Sequence, residues 1–126
     1  MNKILVEVSV GELLDKISIL EIKKEKIKDQ SKLKFINEEF KLLKDQYDKN
    51  VKPDDKINKL FSALKEINNK LWNIEDKIRI KEKLKTFDNE FIEIARSVYI
   101  ENDKRSEIKR EINIKCNSEL VEEKSY

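Results

Sequence analysis

Arginine is rare in this sequence, because 24 of its 28 basic residues are lysine. The planar guanidinium of arginine binds a carboxylate or a phosphate through two parallel hydrogen bonds, which lysine cannot do. In a chain so rich in Lys, Ile and Asn, we expect arginine where that geometry is needed. The partner is either a carboxylate of the protein or an anionic ligand. The four arginines are Arg79, Arg96, Arg105 and Arg110.

Polar side chains also fall on faces of predicted helices where apolar residues are expected. Glu21 projects onto the main apolar face of the first helix. In the third helix a polar line borders the apolar stripe at spacings of 4, 3 and 4: Asn68, Trp72, Glu75 and Arg79. In the fourth helix, the face that carries apolar residues near the helix start carries polar residues further along: Asn102, Arg105, Lys109 and Asn113.

These polar lines are expected to converge if the third and fourth helices form a hairpin about residue 86. Asn68 then lies level with Arg105, and Glu75 lies level with residues 96–99. The preferred interpretation is a structural network of ion pairs and amides, and the alternative is an anion-binding pocket made from the same groups. The candidate site residues are Gly11, Glu21, Asn68, Trp72, Glu75, Arg79, Arg96, Tyr99, Asn102, Arg105 and Lys109.

Three single residues allow two interpretations each. Gly11, in the first turn of a helix, favours close packing of another segment, and the alternative is bare backbone N–H groups that bind a phosphate. Trp72 is expected in the core rather than as a stacking platform. Cys116, the only cysteine, is expected to be buried and inert.

Catalysis and metal binding have little support in the sequence. The chain has no histidine, so a buried Glu21 or Glu75 with a raised pKa is the remaining candidate for a general base. The pairs Glu12 with Asp15 and Glu21 with Glu25 have a spacing that suits Mg²⁺, but such pairs are common by chance in a chain with 26 acidic residues. The sequence therefore predicts no metal and no cofactor, and it leaves open whether the protein is an enzyme.

The composition predicts a folded, all-α chain. Although 43% of the residues are charged, the net charge is only +2, and Ile, Leu, Val and Phe make up 40 of 126 residues. With a single glycine and a single proline, the repeated tight turns of a β-fold cannot be made. Capping signals and apolar spacing predict helices over 9–29, 31–50, 53–85 and 88–116, between an extended start (1–8) and a tail (117–126).

These elements predict one domain, 1–126, folded as an antiparallel bundle of three to four helices. The count depends on a break near Asp29, for which one long helix is the alternative. The extended start is also expected to pair as a short strand with Leu120 and Val121 of the tail.

The charge distribution and the apolar stripes of the predicted helices indicate which partners and which location to expect. Lysine is mixed with Asp and Glu throughout, so nucleic acid is disfavoured as a partner. No apolar run reaches membrane-spanning length and no signal peptide is visible, so with one cysteine the expected location is the cytoplasm. The apolar stripes exceed what one small bundle must bury, which favours a homo-oligomer.

Six segments together resemble a known family: VSVGELLDKISIL (8–20), LWNIEDKIR (71–79), ARSVY (95–99), NDKR (102–105), KREIN (109–113) and EEKSY (122–126). In this order they are similar to an uncharacterised family of short all-α proteins, a domain of unknown function found in bacteria and some of their viruses. The resemblance implies a stand-alone, soluble helical protein. It brings no activity, substrate or cofactor.

The leading hypothesis for function is therefore a non-catalytic binding or assembly protein with a polar cluster between its helices. The alternative is a small enzyme or binder of an anionic small molecule, such as a phosphate or a nucleotide, gripped by Arg79, Arg96, Arg105 and Lys109.

Overall fold

The computed structural model describes residues 2–118 and 120–123, and within them it has four α-helices and no strand. The helices are α1 (Val10–Lys26), α2 (Gln30–Asn50), α3 (Asp55–Lys83) and α4 (Asn89–Lys115). The predicted all-α class and helical bundle are confirmed, with a break after Lys26 that gives four helices rather than three. In the part of the chain described here, none of the helices is both long and apolar enough to cross a membrane.

Each helix begins after a side chain that caps it. Ser9 accepts a hydrogen bond from the N–H of Glu12, and Asp29, Asp54 and Asp88 accept equivalent bonds at the starts of α2, α3 and α4. These bonds satisfy N–H groups that have no partner within the helix. The expected start of α3 at residue 53 moves to Asp55, because the Asp54 carboxylate takes the N-cap position by accepting from the Ile57 N–H at 2.8 Å.

Helix α1 is the central helix, since it packs against each of the other three. The short connection after Lys26 returns α2 along α1, and the connection after Lys83 folds α3 and α4 into a hairpin. The main core lies where all four helices meet, and its buried members are Leu14, Ile17, Tyr47, Ile57, Leu64 and Ile112.

The hairpin of α3 and α4 is much longer than α1. At 1.5 Å per residue, the 17 residues of α1 span about 25 Å, whereas the 29 and 27 residues of α3 and α4 span about 40 Å. We call residues 76–100, which include the tip beyond α1, the distal hairpin. Three of its apolar side chains are largely uncovered: Ile80, Leu84 and Phe87 are 58, 68 and 54% exposed.

The expected strand pairing between the two chain ends is wrong for the described residues. Ile4, Leu5 and Val6 are 86, 82 and 74% exposed, and neither residues 2–8 nor residues 120–123 form a strand. A two-stranded ribbon needs a packed surface beneath it, and the bundle offers none there. Met1 of the expected extended start, and residues 119 and 124–126 of the expected tail, lie outside the described residues.

Candidate functional site

One line of α1 faces the α3–α4 hairpin and carries polar groups into the interior. Gly11, Asp15, Ser18 and Ile22 follow one another at spacings of 4, 3 and 4, and all four are buried. A helix lying on two others normally presents apolar side chains along such a line. The buried Asp15 and Ser18 therefore require polar partners from the hairpin.

The Asp15 carboxylate receives those partners from both helices of the hairpin. The Arg105 guanidinium of α4 donates to it through Nε at 2.9 Å and also through Nη2, and Asn68 Nδ2 of α3 donates at 2.9 Å. Asn68 Nδ2 also donates to Ser18 Oγ at 2.8 Å. We call Asp15, Ser18, Asn68 and Arg105 the Asp15 cluster. The side chain of Asp15 is only 2% exposed, so this cluster neutralises a buried charge.

Arg105 is committed to this internal partner. Its hydrogen bonds to Asp15 raise the pKa of the guanidinium above its usual value, although partial burial acts in the opposite direction. Its Nη1 lies 3.4 Å from Asn102 Oδ1, so Asn102 also belongs to the edge of the cluster. The expected meeting of Asn68, Asn102 and Arg105 is therefore seen, but its centre is a carboxylate on α1.

A second ion pair joins α1 to α4 one turn away. Lys109 Nζ lies 2.7 Å from Glu12 Oε2 and 3.9 Å from Asp15 Oδ2, and its side chain is 14% exposed. Glu122 of the tail approaches the same ammonium at 3.5 Å. Glu12 and Asp15 are thus bound by basic side chains instead of forming the magnesium pair that their spacing allows. Among the described residues, no group of three acidic, Cys or His side chains is arranged to hold a metal ion.

Gly11 brings α1 and α4 into close contact. A Cβ at this position would lie 2.5 Å from the Lys109 carbonyl oxygen and 2.9 Å from Asn113 Oδ1, so any larger residue forces the helices apart. The Gly11 N–H donates to Asn113 Oδ1 at 2.6 Å. The N–H groups of Val10 and Glu12 also have acceptors, Ser118 Oγ and Ser9 Oγ, so the alternative of a bare phosphate-binding helix start does not hold.

Four of the other predicted site residues lie outside the Asp15 cluster. Glu21 pairs with Lys65 of α3 at 3.4 Å, at the edge of α1 rather than in the core. Glu75 and Arg79 pair with each other along α3, and their side chains are 51 and 78% exposed. Tyr99 is 55% exposed on the distal hairpin. These three α3 and α4 residues do not converge with Asp15.

Arg96 is also exposed on α4. Like Tyr99, it lies within the distal hairpin. The predicted set therefore divides into an internal group around Asp15 and an outer group near the distal hairpin.

Trp72 lies at the junction between the two groups, beside an open groove of about 500 Å³. The groove runs between the second half of α1 and the middle of α3, and it ends at Arg105. Its mostly apolar wall and its charged rim are formed by Ile19, Ile22, Asn68, Leu71, Trp72, Glu75, Asp76, Arg79 and Arg105. The expected core position of Trp72 is thus wrong in part, because the side chain is only half-buried.

Asp15 and the groove wall on α1 are what sequence reasoning missed. Asp15 was considered only as a magnesium ligand beside Glu12, although its place between Gly11 and Ser18 on one helical line is visible in the sequence. That line shows which residues share a face, but not which neighbour they meet. Cys116 packs against the main core, and burial raises the pKa of its thiol.

Comparison with known proteins identifies a family without supplying an activity. No curated protein and no solved structure matches the chain. The sequence profile of the Family of unknown function (DUF6165) matches residues 4–126, and the chain therefore belongs to that family.

Proposed function

We propose that this protein is a non-catalytic binding or assembly protein, and that its binding surface is the groove beside Trp72. The observation that carries the proposal is the composition of this groove. Ile19, Ile22, Leu71 and Trp72 form a concave apolar wall, and charged side chains stand only at its rim. Binding sites in proteins are typically concave, of about 300–1,000 Å³, and mostly apolar with a few polar groups that orient the ligand.

The chemistry of the neighbouring polar groups supports binding rather than catalysis. Arg105 and Lys109 are paired with Asp15 and Glu12, so neither is free to stabilise negative charge on a substrate or to donate a proton to it. Asp15 accepts three hydrogen bonds and is almost completely buried, so it has no access to a substrate. The chain also has no histidine. We therefore assign the Asp15 cluster a structural role and the groove the binding role.

The rim of the groove favours a peptide segment of a protein as the ligand. Glu75 and Asp76 provide negative charge and Arg79 provides positive charge on the same groove, whereas the charge of Arg105 is neutralised by Asp15. A segment with a short apolar stretch and charges of both signs is complementary to this arrangement. A purely anionic ligand would gain from Arg79 but would be repelled by Glu75 and Asp76.

Trp72 allows the proposal to be tested directly, because it is the only tryptophan in the chain. Titration with short peptides that carry apolar and charged residues is expected to shift Trp72 emission to shorter wavelength as water leaves the indole. Ile19→Asp, which places a charge in the wall, should abolish the shift. Leu42→Asp, which changes a 66% exposed residue on α2, should leave it intact. If no peptide changes the emission of the folded protein, the groove is not a binding surface.

One observation supports the alternative ligand, an anionic small molecule: Arg79 and Arg105 both line the groove. Its test is the same titration with inorganic phosphate, nucleotides and sugar phosphates, in wild type and in Arg79→Met. A shift that needs Arg79 would favour this alternative over the peptide. A cytoplasmic location, a bacterial or viral origin and the exclusion of nucleic acid stay predictions.

A further inference from the structure

The N-terminal arm, residues 2–8, is the most exposed apolar segment of the described chain. Ile4, Leu5 and Val6 are consecutive, and they are 86, 82 and 74% exposed. The arm forms neither helix nor strand and leads directly into the Ser9 cap of α1. Three large consecutive apolar side chains in water indicate a surface that is covered in an assembly.

The groove beside Trp72 matches this arm in chemistry. Its apolar wall suits Ile4, Leu5 and Val6. The charges that flank these residues in the arm are Lys3 on one side and Glu7 on the other. The rim of the groove carries Glu75 and Asp76 close to Trp72, so the positive charge of Lys3 has carboxylates of opposite charge in the same groove.

The arm does not fill the groove of its own chain in this structure, since Ile4, Leu5 and Val6 are exposed to solvent. Ile19 and Ile22 lie ten to thirteen residues along α1 from Ser9, which is about 15–20 Å. At about 3.3 Å per residue, Ile4 reaches about 17 Å from Ser9, but Leu5 and Val6 reach only about 13 and 10 Å.

We propose that the arm of one copy of the chain occupies the groove of a second copy. Leu5 and its neighbours lie against Trp72 and Ile19, and Lys3 lies beside Glu75 and Asp76. Exchange of both arms gives a closed two-fold dimer in which the same surfaces are used twice. This inference rests on the proposed function of the groove and names its ligand.

The arm is a good site for substitutions, because its apolar residues are exposed and no described hydrogen bond or ion pair involves residues 2–8. We expect wild type to show a mass of about 30 kDa by light scattering, twice 15.1 kDa, and a Trp72 emission that moves to shorter wavelength as concentration rises. Leu5→Asp should weaken dimerisation at least tenfold and remove the concentration dependence. Leu42→Asp is the matched control, since it places the same charge at a similarly exposed leucine on α2.

A peptide of residues 2–8 tests the same contact without the rest of the second copy. Added to the Leu5→Asp protein, it should restore the shorter-wavelength Trp72 emission, and the peptide with Leu5→Asp should not. Lys3→Glu should weaken the dimer, and Asp76→Lys in the same chain should restore it, because the charge pair is then reversed across the interface.

Two results would overturn the inference. One is a wild-type protein that stays at 15.1 kDa at every concentration with no response to the arm peptide; the other is a dimer that Leu5→Asp leaves unchanged. If unrelated peptides still shift Trp72 emission in either case, the groove remains a binding surface and only the arm is rejected. If nothing shifts it, the proposed function fails as well.

Discussion

Replacing Arg105 with methionine is the sharpest test of the Asp15 cluster. The substitution keeps most of the side-chain length but removes the guanidinium, which donates two hydrogen bonds to Asp15; Lys109 Nζ, 3.9 Å from Asp15 Oδ2, remains as a longer ion pair. Because the Asp15 side chain is 2% exposed, its carboxylate cannot turn to water. Breaking a buried ion pair in this way costs about 3–5 kcal/mol in the free energy of unfolding.

The opposite change should cost less, because the two partners are not equally buried. In Asp15→Asn the remaining guanidinium is 28% exposed and can still be hydrated. The loss is then that of charge-assisted hydrogen bonds, about 1.5–3 kcal/mol. Removing both charges, as in Asp15→Leu with Arg105→Met, should be less destabilising than Arg105→Met alone, since no unpaired charge remains inside.

Thermal and urea unfolding followed by circular dichroism measure these differences. For a chain of this length, about 1 kcal/mol corresponds to roughly 4 °C in Tm, so Arg105→Met should lower Tm by roughly 12–20 °C. The control is Arg79→Met, since Arg79 forms an exposed ion pair within α3 and should contribute less than about 1 kcal/mol. If Arg105→Met and Arg79→Met unfold at the same temperature, the Asp15 cluster does not stabilise the fold.

Three further predictions follow from the contacts. Gly11→Ala should destabilise the protein by about 1–3 kcal/mol in urea unfolding, because its Cβ meets the Lys109 backbone; an unchanged midpoint would show that α1 and α4 separate freely. Hydrogen bonds from the Ile57 and Phe91 N–H groups lower the pKa values of Asp54 and Asp88 below the usual 3.8, so their stabilisation is complete above about pH 4 and is lost as pH falls through the lowered values. Asp88→Asn should reduce this loss in acid unfolding curves. Burial raises the thiol pKa of Cys116 above 9.0, so its reaction with a disulfide reagent at pH 8 should be slow and should accelerate on unfolding; a rate equal to that of a free thiol would contradict this packing.

The helices could be predicted from the sequence because the signals that define them are local. Ser9 and Asp88 are recognisable N-caps, and the apolar spacing after each of them continues to the end of the helix. The error at the start of α3 is also local, since Pro53 and Asp54 both suit a helix start and only the hydrogen bond to Ile57 decides between them.

The Asp15 cluster could be predicted only in part, because it depends on how three helices are rotated against one another. The short connection between α3 and α4 predicts that Asn68 and Arg105 lie side by side across the hairpin. The identity of their common partner depends on which line of α1 faces them, and the apolar residues of α1 lie on two faces. Sequence reasoning therefore chose Glu21, which pairs with Lys65 at the edge, instead of Asp15.

The outer residues share helix faces with this cluster, but they lie further along the hairpin. Glu75 and Arg79 follow Asn68 by seven and eleven residues, about 10 and 16 Å along α3. In the structure Glu75 and Arg79 lie at the rim of the groove, while Arg96 and Tyr99 are exposed on the distal hairpin. The polar spacing in the sequence shows which residues share a helix face, and the packing of α1 decides which of them are covered.

The Asp15 cluster and the groove are linked through the position of α1 along the hairpin. Asp15 can accept hydrogen bonds from both Arg105 and Asn68 at only one position of α1 along the hairpin and at one rotation of α1 about its own axis. A shift of α1 by one turn, about 5.4 Å, would carry the buried carboxylate away from both and against apolar side chains of α3. Ile19 and Ile22 lie one and two turns beyond Asp15 on α1. The position of α1 that satisfies the hydrogen bonds of Asp15 therefore also sets where Ile19 and Ile22 lie relative to Trp72. A polar cluster that takes no part in binding thus determines the shape of the surface that binds.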